Sequence, residues 1–113
     1  VSKARSKVWF TFEGPDRERW TVYFAIQKKN PSFFSGKAVG TAWFGGRYKN
    51  RIYIDAGQKW DEICNTLVHE LMHVAFRHLR LSPIIDEAIV ADVSDDLAYI
   101  LFQVLPAWPE YEG

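Results

Sequence analysis

A single cysteine, Cys64, stands in 113 residues. No internal disulfide can form, which excludes a small secreted fold stapled by bridges. The lone thiol favours a reducing compartment, so a cytoplasmic protein is expected. Long apolar runs are also missing. None approaches the roughly 18 residues that cross a bilayer, and the basic stretch Val1 to Lys7 leads straight into a strand-like segment rather than an export signal. No membrane partner is expected. Net charge is absent, with 14 Lys and Arg against 14 Asp and Glu, which argues against a nucleic-acid binder working through a broad basic face. Internal repeats and low-complexity segments are lacking as well. What remains is apolar and aromatic. At 48% hydrophobic and 16% aromatic the chain is too rich for disorder, and its length suits one domain over residues 1–113 with one modest core.

The first half reads as strands. Val8-Trp9-Phe10-Thr11-Phe12 stops at the turn signal Glu13-Gly14-Pro15-Asp16, and Trp20 to Ile26 stops at Lys28-Lys29-Asn30-Pro31. Together they predict a hairpin. Residues 31 to 38 read as irregular. Val39 to Phe44 and Arg51 to Asp55 predict a second hairpin. The second half reads as helices. Gln58 to Leu79 contains no Gly or Pro, and Ile63, Leu67, Leu71, Val74, Ala75 and His78 fall at spacings of three and four. Ser82-Pro83 then supplies an N-cap and a first-turn proline. A second helix is expected from Pro83 to Leu105, with Ile84, Val90, Val93, Leu97, Ile100, Leu101 and Val104 as its apolar face, before Pro106 stops it. Residues 106–113 form a tail.

The chemistry lies in His69-Glu70-Leu71-Met72-His73. On an α-helix two residues four apart lie about 40° from one another and one turn along, so both imidazoles can reach one ion. Neutral imidazole suits zinc. Glu70 projects roughly 100° round from His69, where its carboxylate can reach a water in the metal's open position and act as general base. The motif falls in the most helical segment and uses two of the three histidines.

A third ligand is needed. His78 would have to turn about 140° from His73 on a continuous helix. Glu87 lies in the first turns of the next helix, which an antiparallel return brings beside His73. It heads a row with Val90, Ala91, Ser94 and Ala98, and an acid at the head of an apolar row invites a function. Asp92 is the reserve, as a ligand or as a partner orienting a histidine. Asp86 reads as an acid that favours the helix dipole. His69, His73 and Glu87 are therefore the expected ligands, with Asp92 and His78 as alternatives for the third.

The motif helix, followed by a helix beginning Asp86-Glu87-Ala88-Ile89-Val90, resembles the gluzincin branch of the zincin metallopeptidases. Length and the preceding strands look most like the minigluzincins. The resemblance implies an α+β fold: a small twisted, mostly antiparallel sheet packed on an active-site helix and a glutamate helix. It implies that His69, His73 and Glu87 bind zinc, that Glu70 is base and acid, and that an edge strand pairs with an extended peptide substrate. Val39 to Phe44 is the expected strand. Larger gluzincins carry an Asp four residues after the ligand Glu; here that position is Ala91, with Asp92 one step on. The metzincin pattern fails, for want of the required Gly and His after His73.

The expected function is zinc-dependent endopeptidase activity on a peptide or protein, with Glu70 acting on a zinc-bound water. The tail, through Glu110, offers a way to hold the site latent. The alternative is a zinc-stabilised binding module that does not cleave. Cys64 reads as a small core residue. The aromatics read as sheet packing, and Trp43-Phe44 beside Gly45-Gly46 is the first candidate for an exception, since a hairpin tip next to a cleft often touches ligand. No tyrosine among Tyr48, Tyr53, Tyr99 and Tyr111 is singled out as an oxyanion stabiliser.

Overall fold

The computed structural model describes residues 5–15, 17–77 and 82–104. Its elements are β1 (Lys7–Glu13), β2 (Arg19–Ala25), β3 (Gly40–Trp43), β4 (Arg51–Asp55), α1 (Trp60–Phe76) and α2 (Pro83–Val104). His78 and the tail 106–113 lie outside the described residues.

The strands form one sheet in the order β1-β2-β4-β3. Both expected hairpins are present, since β1 pairs with β2 and β3 with β4, each antiparallel. The seam between them, β2 with β4, is parallel. The sheet is thus mixed, with antiparallel pairing on two of three seams, and the fold is α+β.

Side-chain alternation divides the sheet into two faces. Trp20, Val22 and Phe24 of β2 join Ile52 and Ile54 of β4 against Ile63, Leu67 and Val74 of α1. On the opposite face Tyr53 and Ala25 are covered by Phe33 and Phe34 from the connection after β2. The Phe33 ring stacks on Tyr53 with centroids 4.4 Å apart. Ile52, Tyr53 and Ile54 are therefore all fully buried, as an inner strand covered on both sides should be.

Trp43 belongs to this second face. Its indole Nε1 donates to the Phe33 carbonyl at 2.8 Å, and its ring meets Tyr48 edge-on. These contacts pack one side of Trp43 onto the 31–38 segment and Tyr48, in keeping with the sheet-packing reading of the aromatics. Phe44 packs against Trp20 and lies under the Arg77 guanidinium, 4.6 Å from the ring centroid.

α1 starts where Glu62 accepts the Lys59 backbone N–H at 2.9 Å, with Asp61 and Glu62 placed to favour the helix dipole. It is buried on two sides. One packs on the sheet, and the other, through Val68 and Met72, packs on Val90 and Ala98 of α2. Ala75, expected in the buried stripe, is exposed. α2 begins as its sequence indicates, with Ser82 Oγ accepting the Ile85 N–H at 3.3 Å. Among its described side chains the buried row is Val90, Ser94 and Ala98; Ile100, Leu101 and Val104 lie outside them. Ile84 and Val93, expected on the inner face, are 83% and 43% exposed. Small side chains at Ser94 and Ala98 let the helices approach, and a neighbour as narrow as α1 covers only one stripe of an apolar helix.

Candidate metal centre

His69 and His73 project from successive turns of α1, and their Nε2 atoms stand 3.3 Å apart. Glu87, in the first turns of α2, spans the two. Its Oε1 lies 3.1 Å from His69 Nε2 and its Oε2 2.9 Å from His73 Nε2. One ligand atom from each residue falls within 4.8 Å of the others. Glu87 reaches this point because α2 starts beside the C-terminal half of α1. Asp92 is exposed and does not join the cluster among the described residues.

Asp86 does more than favour a dipole. Its Oδ2 lies 2.8 Å from His73 Nδ1. A carboxylate can only accept, so Nδ1 carries a proton, and whenever the ring is neutral Nε2 presents its lone pair. That lone pair faces a Glu87 oxygen and the other imidazole nitrogen. Acceptors facing acceptors at these distances require a proton or a cation between them. A zinc ion with bonds of about 2.0–2.1 Å places tetrahedral donors roughly 3.3 Å apart. The two imidazole nitrogens stand at that figure, 3.3 Å apart, while Glu87 meets them through separate oxygens at 3.1 and 2.9 Å, the length of hydrogen bonds. The donor set of two imidazoles and a carboxylate is suited to zinc. The histidine-orienting partner that sequence reasoning sought in Asp92 is thus Asp86, the residue just before Glu87. Two consecutive acids at a helix start were the available signal.

Glu70 is only 7% exposed. Burial pushes its carboxyl up to about 7, helped by the charge of Glu87 and opposed by His73 and by a hydrogen bond from the Ala42 backbone N–H. That hydrogen bond follows from the sheet. Val39 and Trp43 accept hydrogen bonds from the β4 side, from the N–H groups of Asp55 and Asn50 at 2.8 Å. In an antiparallel ladder alternate residues face alternate sides, so Gly40 and Ala42 turn their polar groups to the free edge. β3 is an edge strand and packs along α1. Glu70 therefore rests on the free edge of β3, one residue along the helix from His69.

Cys64 is fully buried within α1, as a core residue. Tyr53 lies on the far face of the sheet with its hydroxyl on Arg51 at 3.1 Å, and Tyr48 packs beside it; neither stands at the cluster. Among the described residues no helix is long and apolar enough to cross a membrane. Compared with known protein families, curated proteins and solved structures, the chain matches none.

Proposed function

We propose that this chain is a gluzincin-type zinc endopeptidase, with His69, His73 and Glu87 as ligands and Glu70 as general base and acid. The observation that carries the reading is the convergence of three lone-pair donors beside a buried carboxylate that leans on a free sheet edge. When bound, zinc supplies a Lewis acid that polarises a carbonyl and lowers the pKa of a water. The chain's own residues do the rest. Asp86 holds His73 in the tautomer that exposes Nε2. Glu70 takes a proton from the attacking water and returns it to the leaving amine. An extended peptide running along β3 would use the free edge at Gly40 and the Ala42 carbonyl, since the Ala42 N–H serves Glu70, and would lie beside the cluster. Glu87 is exposed, with 57% of its side chain accessible, which suits an open catalytic site better than the closed four-ligand site of a structural zinc module.

Zinc per chain, measured on protein purified without added metal, tests the ligand set. One zinc in the wild type, lost or weakened in Glu87→Ala, is expected. Zinc retained by Glu87→Ala would remove Glu87 from the set, and a wild type that takes no zinc even when supplied would overturn the reading. Glu70→Gln should keep the zinc and lower cleavage of unfolded casein by roughly 10²- to 10⁴-fold. Undiminished cleavage by that variant would remove Glu70 from its role.

A further inference from the structure

Gly40 opens β3 directly opposite Glu70. A Cβ built at Gly40 would stand 2.4 Å from Thr66 Cγ2, 3.2 Å from Glu70 Oε2 and 3.3 Å from Glu70 Cγ. No left-handed backbone conformation calls for glycine here, since Gly40 is not among the positive-φ residues. Its hydrogen would be replaced by a carbon pressing on two residues one helical turn apart, both on the α1 face that meets β3. The same strand edge supplies the Ala42 N–H that Glu70 accepts. The metal donors stand apart from this contact. His69 meets Glu87, and His73 meets Glu87 and Asp86, all on α2.

We infer that Gly40 is a positioning residue for the general base: its missing side chain sets how closely Glu70 rests on the strand edge, and so where the carboxylate stands relative to the metal. The inference rests on the proposed peptidase reading. It assigns Gly40 a role beyond packing, because the two neighbours of its absent Cβ can be relieved separately. Thr66→Ser removes the methyl that a Cβ would strike. It keeps the hydroxyl, whose Oγ1 donates to Gln58 Oε1 at 3.1 Å. In Gly40→Ala/Thr66→Ser the nearest atoms left to the new Cβ are those of Glu70, at 3.2 and 3.3 Å, and Glu70 must give by a few tenths of an ångström. A displacement on that scale is felt by a catalytic group, since misplacement by about 1 Å costs on the order of 10²-fold.

The test uses zinc-loaded wild type, Gly40→Ala, Thr66→Ser, the double variant and Glu70→Gln. Three quantities are read: zinc per chain, melting temperature, and the affinity for acetohydroxamate by calorimetry. The hydroxamate chelates the metal and gives its proton to the neighbouring base, so it senses Glu70 without turnover. Gly40→Ala should keep its zinc, melt lower and bind the probe more weakly. The double variant should regain the wild-type melting temperature yet still bind the probe roughly threefold to tenfold more weakly, in the direction of Glu70→Gln. Cleavage should fall in kcat at unchanged KM. Probe affinity that recovers together with stability in the double variant would overturn the inference and leave Gly40 a packing residue. Should Gly40→Ala not fold, the less crowded double variant carries the same comparison. A wild type that holds no zinc would overturn the peptidase reading itself, which is a separate outcome.

Discussion

The two helices furnish one donor cluster from unlike surroundings. α1 is buried on two sides, and the turn that carries His69, Glu70 and His73 lies between the sheet and α2. α2 offers Asp86 and Glu87 from its first turns, where Ile84, Ile85 and Ile89 are exposed and the first fully buried side chain is Val90. The base and the imidazoles are thus set by the fold, whereas the carboxylates are set by one helix–helix contact and by the histidines they face. Where a cation is needed to reconcile lone pairs, it also ties the second helix to the first.

Core substitutions give the widest contrast between the helices. Leu67, 1% exposed, packs in the α1–sheet core. Leu67→Ala should cost about 2–5 kcal/mol, whereas Ile89→Ala, on a residue 38% exposed, should stay within about 0.5 kcal/mol. Urea unfolding of the metal-free chains reads both, and equal losses would show that the outer face of α2 is covered in solution.

Next in size is the pH dependence. Glu70 has its carboxyl raised from 4.5 to about 7. Between these values the folded chain holds a proton that the unfolded chain has released. Its contribution to stability is therefore full below pH 4.5 and is lost as pH rises through about 7. In the metal-free protein, stability relative to Glu70→Gln should fall by about 3 kcal/mol across that interval. Parallel stability curves for the two proteins would show that Glu70 is not desolvated.

Asp86→Ala should act on the metal alone. Freeing the His73 tautomer should weaken zinc by roughly 10- to 100-fold with little change in the melting of the metal-free chain. A chelator-competition titration measures it, and unchanged affinity would make Asp86 a helix-start acid and nothing more.

Much of this was legible in the chain. α1 showed itself through a long stretch free of Gly and Pro with apolar residues at spacings of three and four, and Ser82-Pro83 marked the start of α2. The histidine spacing placed both imidazoles together, and the row from Glu87 through Val90, Ser94 and Ala98 pointed to the carboxylate, although Ala91, expected in that row, is exposed. Other features had no local signature. The parallel β2–β4 seam depends on which strands meet, not on what either contains. Asp86 and Glu87 are neighbours, and only the rotation of α2 against α1 decides which oxygen meets which nitrogen. The Ala42 N–H is a backbone group that every residue but proline carries, so nothing in the sequence announces that Glu70 uses it. Ile84 and Val93 misled because an apolar residue on a helix states a preference for burial without stating whether a neighbour is there to bury it.

The parallel seam has a consequence for how the molecule comes together. Each hairpin closes over a short loop, while every pair along β2 and β4, from Thr21 with Arg51 to Ala25 with Asp55, joins residues thirty positions apart. Neither hairpin holds the core alone, because Trp20, Val22 and Phe24 come from one and Ile52 and Ile54 from the other. Loop-closure entropy is concentrated at that single junction. Folding is therefore expected to resemble the mating of two prefabricated halves, with the slowest event at the line where they meet.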